Sequence, residues 1–447
     1  GIRGQVKFEG EEEHLSTVAD KMSEYKIPAL SLTIMEGGQI AWSATYHNPA
    51  FPTEEGLDCN SLFQAASLSK PVTFMAALRM HAGGAINLDE NVENYLKEYK
   101  LPKGKQTPEN PVTLRNIFSH TSGLTPGGYE GYPKDQQMPS DIAVLKGSEG
   151  VNSPAIEVIN TPNEVLAYSG GGYTLAELAL QDELGDSFSN IMEKWILKPV
   201  GMNHAEFTQP MTASASKKIA NGYTTAGEMI DGGWKNHPEQ AAAGLWSTST
   251  DLALFLIEIY KGYNGKSTVF TQADIQGILA QERDMLVYGF IVNKTEDNDI
   301  SITHYGGNAG YRTGMTISLT TGNGLVYLID SDNGGSLGNE LLLSAARVYD
   351  WPFFQQTAVV RAATVPIDLK VLEGDYKWNN QVDLKIQYDA SKDKISMFFP
   401  NGDAYELTPI EGDGFSLIHE GTGVRVTFTK EDNYQSFSLY GQTAVRI

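Results

Sequence analysis

The stretch Val72-Thr73-Phe74-Met75-Ala76-Ala77-Leu78-Arg79-Met80 limits what this chain can fold into more than any other. At helical spacing Val72, Met75, Ala76 and Arg79 share one face, and Phe74, Ala77 and Leu78 share a neighbouring one. A helix apolar on several faces has to be enclosed by other elements. The residues before it, Ser67-Leu68-Ser69-Lys70-Pro71, place Ser67 at the helix N-terminus. There, backbone N–H groups and the helix dipole favour a developing anion. Lys70 lies one turn on, so its amine folds back toward the Ser67 hydroxyl. A serine needs a base beside it to become a nucleophile, and a desolvated lysine supplies one. The Ser-x-x-Lys spacing also occurs at Ser23/Lys26, Ser214/Lys217 and Ser391/Lys394, in charged or small-residue stretches that read as solvated surface. Spacing alone equally fits a helix N-cap, so the rest of the chain has to decide.

The 447 residues suffice for two or three domains, or one large and one small. With 41% apolar residues the chain can build a large core. A net charge of −22 argues against non-specific nucleic-acid binding and reads as solubility. Cys59 is the only cysteine, which excludes an internal disulfide and a cysteine-based metal site. The histidines form no H-E-x-x-H pair, and neither metal nor cofactor is expected. No apolar stretch reaches the roughly 18 to 20 residues of a spanning helix, so no membrane span is expected.

Along the chain, residues 11–25 read as an amphipathic helix with Leu15, Val18, Ala19 and Met22 inward. Residues 29–35 and 39–43 read as strands joined at Gly37-Gly38, a hairpin signal. A short helix over 112–124 stops at Gly123, and the Gly-, Pro- and Tyr-rich loop 125–139 reads as functional or mobile. Helices are expected over 173–196 and 249–260, strands over 288–293, 300–304, 312–319 and 324–330, and a closing helix over about 338–349. A sheet of the first and last strands with helices beside it brings residue 67 near residue 304. Residues 351–368, with Pro352 and Pro366, read as a linker. Beyond it, short alternating runs at 382–388, 394–399, 404–410, 414–419, 423–429 and 434–440 carry the signature of a small barrel or sandwich. The expected domains are 1–355 and 356–447.

Beside Ser67 and Lys70, three constellations bear on chemistry. Gly334-Gly335-Ser336-Leu337-Gly338 matches G-x-S-x-G, the nucleophile elbow, but the turn before it is long, and only His419 lies downstream to complete a triad. The blander reading is a Gly-rich turn capped by Ser336. Tyr168-Ser169-Gly170-Gly171-Gly172 implies a backbone that approaches something closely, and a tyrosine hydroxyl near a lysine can relay a proton. The blander reading is a half-buried tyrosine at a helix start. His304-Tyr305-Gly306-Gly307-Asn308 ends one strand before Arg312 opens the next. His304 there can assist proton transfer or orient a carboxylate. Gly306 and Gly307 leave the strand edge open for an oxyanion hole shared with the Ser67 N–H. A satisfied structural histidine is the plainer alternative.

The order Ser-x-x-Lys, Tyr-Ser-Gly, His-Tyr-Gly-Gly is similar to that of the β-lactamase/penicillin-binding-protein superfamily of serine hydrolases. Its class C and CubicO-like branch includes D,D-peptidases, D-aminopeptidases and family VIII esterases. The resemblance covers about residues 10–350. It includes Leu114-Arg115-Asn116-Ile117-Phe118-Ser119-His120-Thr121-Ser122-Gly123-Leu124, Lys198-Pro199-Val200-Gly201-Met202 and Ala243-Gly244-Leu245-Trp246-Ser247-Thr248-Ser249-Thr250-Asp251-Leu252. It implies an α+β fold with an antiparallel sheet flanked by helices, followed by a module that resembles the lipocalin-like barrel of some of these peptidases. It also implies Ser67 as nucleophile, Lys70 as base, Tyr168 in proton transfer to the leaving group, and His304-Tyr305-Gly306 at the position of a Lys-Thr-Gly strand. Ser67 and Gly307 N–H groups would form the oxyanion hole, with Gly306, Asn308 and Arg312 beside the substrate. Gly170 stands where β-lactamases carry asparagine and His304 where they carry lysine, which favours an esterase or peptidase. The expectation is a periplasmic or secreted hydrolase of a small-molecule or short-peptide substrate, of the D-aminopeptidase kind. The alternatives are a carboxylesterase with weak β-lactamase activity, or an idle protein that binds peptidoglycan-like peptides. The sequence specifies no oligomeric state.

Overall fold

The computed structural model describes residues 1–212, 217–280, 286–365, 367–378, 382–400, 404–412, 415–439 and 442–447. Ser214, Pro366, Gly414 and Tyr440, named above, lie outside them. The chain forms two compact units, Ala19–Gly338 and Gly1–Val18 with Asn339–Ile447. Among the described residues no helix is long and apolar enough to cross a membrane.

The first unit holds an antiparallel sheet of seven strands. Their order is Gln39–His47, Ala29–Glu36, Gly324–Ile329, Tyr311–Ser318, Ile300–Asn308, Phe290–Lys294 and Leu286–Val287. The hairpin of the first two turns at Gly37 and Gly38, with φ of +57° and +75°, the left-handed pair such a turn requires. Gly324–Ile329 is buried throughout, and Ala29–Glu36 along all but its last residue, as befits strands covered on both faces. The helix Ser69–Ala82 is enclosed as its composition demands: Val72 to Ala77 are all buried. Phe74 stacks on Tyr288 at 4.4 Å and meets Phe118 edge-on at 5.8 Å. Burial of a side chain of this size contributes about 2 to 3 kcal/mol.

Three helical expectations need correction. Only Val18–Glu24 of the 11–25 segment is helical, and Leu15 is 50% exposed. Ser16 instead pairs its backbone with Ile2 at 2.7 and 3.0 Å, which removes it from any helix. The helix expected over 112–124 is Leu114–Phe118, held by a Thr113/Asn116 capping box. It stops short of Gly123 because the chain already turns at His120, whose φ is +57°. The helix expected from 173 begins at Gly170, where the Ser169 hydroxyl accepts the Gly172 N–H at 2.8 Å, and it ends at Leu184 before further turns up to Val200.

In the second unit the strands from Gly374–Trp378 to Gln442–Arg446 form a closed eight-stranded antiparallel barrel. Six strands were legible as alternating runs. The two unread ones pair with each other, Tyr376 with Arg446 and Trp378 with Ala444, and so close the ring. An eight-stranded barrel is just wide enough to be filled by side chains, and Tyr376, Phe428 and Phe437 pack inside it at 4.9 to 6.2 Å. Part of the segment read as linker is structured. Val359 bridges Phe8, Arg361 bridges Ile410, and the Arg361 guanidinium lies 3.6 Å over the Phe8 ring.

Candidate active site

Residues 61–70 are buried except Ser67, which is half-exposed. Ser67 sits in the 3-10 turn Ala66–Leu68 that leads into Ser69–Ala82. Leu68, not Ser67, occupies the helix cap position, which disposes of the N-cap alternative. The Ser67 hydroxyl instead meets Lys70, whose Nζ donates to Oγ at 3.3 Å and to the Ala242 carbonyl at 2.8 Å. Lys70 is only 2% exposed. A polar group so enclosed needs hydrogen-bond partners. Ala66 just before the nucleophile has a φ of +51°, a strained conformation for a residue with a Cβ and one that recurs at functional sites.

Tyr168 brings its ring, 40% exposed, to 4.8 Å from Lys70 Nζ. Its other neighbour, His120, stacks on it at 4.4 Å and accepts the Ser169 N–H at Nδ1, 3.1 Å away. Burial, then Lys70 and His304, push the His120 pKa well below the usual range. His120 is therefore neutral, with its proton on Nε2. It lay inside the quoted Ser119-His120-Thr121 stretch, yet nothing in the sequence showed that it would meet Tyr168. The three glycines after Ser169 have a visible cause. Gly170 N and Gly171 N donate to Gly127 O and Pro126 O, both at 3.0 Å. A Cβ at Gly171 would strike Thr125 O, and one at Gly170 would lie 3.2 Å from the Tyr129 ring. The loop 125–129 is thus fastened across the helix start, and its Tyr129 crowds the position of the missing asparagine.

The strand Ile300–Asn308 supplies the opposite wall. Its outer edge pairs with Phe290–Lys294 only as far as Thr303. From His304 onward that edge has no strand partner among the described residues. Gly306 lies against the nucleophile turn: a Cβ there would meet Thr313 Oγ1 and would sit 2.7 Å from Ala65 O and 3.0 Å from Ser67 N. Asn308 donates to Gln64 Oε1 at 2.7 Å and to Ala243 O at 3.2 Å, tying the strand end to the turn. His304 is buried, and burial followed by Lys70 lowers its pKa to about 3. Arg312 is opposite Gly307 in register, while its neighbour Thr313 donates to Ala65 O at 3.0 Å. Since successive side chains point to opposite faces, Arg312 lies on the face away from the turn. Its guanidinium is engaged by Asp332 at 2.9 Å and by the Asn308 and Tyr311 carbonyls.

The rival serine is placed otherwise. Ser336 lies inside the helix Gly334–Val348 rather than at a strand-to-helix elbow. His419 bonds Thr422 Oγ1 at 2.7 Å and stacks on Tyr405, within the barrel.

The model of the family described as Beta-lactamase matches residues 15–348, which carry Ser67, Lys70, Tyr168 and His304. The chain belongs to the beta-lactamase family. As a member of this superfamily it is a serine hydrolase. Penicillin-binding protein 4* of Bacillus subtilis strain 168 is 22% identical over 453 residues, 96% of each chain. The octameric penicillin-binding protein homologue from Pyrococcus abyssi has the same fold, with a TM-score of 0.61 at 18% identity over 96% of this chain and 98% of that one. D-amino acid amidase from Ochrobactrum anthropi SV3 aligns with a TM-score of 0.59 at 20% identity, over 74% of this chain and 97% of its own.

Proposed function

We propose that this member of the beta-lactamase family is an amidase or peptidase of the D-aminopeptidase kind, acting outside the cytoplasm through an acyl-enzyme on Ser67. The observation that carries this reading is the Ser67–Lys70 pair set beside a strand edge that, among the described residues, has no strand partner and no unengaged cation of its own. Lys70 takes the Oγ proton as Oγ bonds to the substrate carbonyl carbon. The proton passes to the leaving amine as the C–N bond breaks, with Tyr168 beside the path. Water then hydrolyses the ester, and Ser67 recovers its proton. The open edge from His304 to Asn308 offers main-chain groups to an extended acyl chain. Among the described residues of the strand and its neighbour, a neutral His304 and an engaged Arg312 give a substrate carboxylate no counter-charge. This favours amides, N-terminal residues and esters over C-terminal dipeptides and β-lactams.

The test is intact mass after treatment with a fluorophosphonate, then hydrolysis of a D-amino acid amide, an ester and a D-alanyl-D-alanine peptide. One adduct on the wild type, none on Ser67→Ala, and the amide as preferred substrate are expected. Preference for the ester would move the assignment to carboxylesterase, and preference for the C-terminal dipeptide would overturn the charge argument. An unlabelled wild type would point to an idle, peptide-binding member.

A further inference from the structure

The helix Gln240–Ala243 and the residues just after it hydrogen-bond to the active-site segments through their backbone atoms. Ala242 O accepts from Lys70 Nζ at 2.8 Å, and Ala243 O accepts from Asn308 Nδ2 at 3.2 Å. Leu245 N donates to Ser69 Oγ at 3.0 Å, and Leu245 O accepts from Ala65 N at 2.8 Å. The serine turn, its base and the end of the substrate strand are therefore all referred to one short piece of main chain. Its alanine side chains supply no polar group, so its value lies in where it is held.

A single helical turn does not hold itself. Glu177, from the middle of the helix Gly170–Leu184, does the holding. Its Oε2 accepts the Ala241 N–H at 2.8 Å and its Oε1 accepts the Gln240 side-chain amide at 2.8 Å. Glu177 has no exposed surface, an unfavourable place for a carboxyl group unless its donors are worth keeping. The same helix begins two residues after Tyr168. One rigid rod thus sets Tyr168 at its start and, through Glu177, the carbonyl that faces Lys70.

We infer that Glu177 is a positioning residue for acylation, an inference that rests on Ser67 being the acylated nucleophile. Glu177 fixes Ala242 O, which takes one N–H of the Lys70 amine. That contact orients the nitrogen, so that in the neutral amine the lone pair faces Ser67 Oγ–H as Oγ bonds to the carbonyl carbon and its proton moves to Nζ. Lys70 is faced also by Tyr168, Tyr173, His120, His304 and His237. Glu177 is faced by Asp141, Glu239 and Gln240. Loss of the clamp leaves these neighbours in place and frees the carbonyl.

The experiment compares fluorophosphonate labelling rates of wild type, Glu177→Ala and Glu177→Gln as a function of pH, with thermal midpoints measured in parallel. Glu177→Ala is expected to label roughly tenfold to a hundredfold more slowly at every pH, with the rate-versus-pH midpoint displaced. Glu177→Gln, which keeps one acceptor for the Ala241 N–H, is expected to recover most of the rate. Wild-type rates and an unmoved midpoint in folded Glu177→Ala would overturn the inference and leave Ser67 chemistry standing. If Glu177→Ala does not fold, Glu177→Asp decides, since its shorter side chain withdraws the acceptors from Ala241 N–H and Gln240: a slower rate and a displaced midpoint support the clamp, and an unchanged profile overturns it. A wild type that takes no label would overturn both this inference and the proposed function.

Discussion

Ser67 is defined by its contrast with its neighbours, as the one half-exposed position in a buried decade of residues. The Lys70 Nζ 3.3 Å away and the strained Ala66 before it mark a turn held by its surroundings rather than by local preference. Tyr168 presents the face of its ring to Lys70, and no hydrogen bond joins its hydroxyl to Ser67 or Lys70 among the described residues. Ring and hydroxyl are therefore separable. Tyr168→Phe keeps the stacking on His120 and the packing on Lys70. It is expected to leave the thermal midpoint nearly unchanged while lowering kcat by roughly a hundredfold, the usual scale of a lost proton-transfer group. A variant with wild-type kcat would reduce Tyr168 to a packing role.

Among the elements, the strand Ile300–Asn308 and the turn Ala66–Leu68 have to lie closer than side chains normally permit. Gly306 makes this possible, because its missing Cβ would contact Thr313, Ala65 and Ser67 backbone or side-chain atoms at once. In Gly306→Ala a Cβ 2.7 Å from the Ala65 carbonyl forces strand and turn apart, which misplaces the shared N–H groups. Labelling is expected to slow roughly a hundredfold for a stability loss of only about 1 to 2 kcal/mol. An equal loss of labelling and of folded protein would mean that the glycine serves packing alone.

At the scale of the whole molecule, buried titratable groups set opposing limits on stability. Burial raises the Glu239 pKa from 4.5 to about 8. The unfolded chain releases that proton above pH 4.5 while the fold keeps it, so stability falls as pH rises toward 8. Burial, then Lys70, lowers the His304 pKa from 6.5 to about 3. The unfolded chain gains that proton below pH 6.5 while the fold refuses it, so stability falls as pH drops toward 3. Each group contributes a slope of about 1.4 kcal/mol per pH unit inside its window. Thermal midpoints are expected to crest between pH 4.5 and 6.5. Glu239→Gln is expected to flatten the fall between pH 6.5 and 8 and to leave the acid limb intact. An unaltered alkaline limb would assign it to other buried carboxyls, such as Glu177 or Asp330.

The amino-acid order alone determined the enclosed helix, the hairpin at Gly37-Gly38, the Ser67–Lys70 pairing and six strands of the barrel. All rest on local periodicity, on turn conformation or on residues one helical turn apart. Proximity across hundreds of residues was decided only by the tertiary structure. It brings His120 onto Tyr168 and draws Arg312 away to Asp332. It sets Ala242 over Lys70 through Glu177, and closes the barrel by pairing Gly374–Trp378 with Gln442–Arg446. Such contacts leave no period in the sequence, because each depends on where a distant backbone atom comes to rest, and burial then sets the charge states of the groups it encloses.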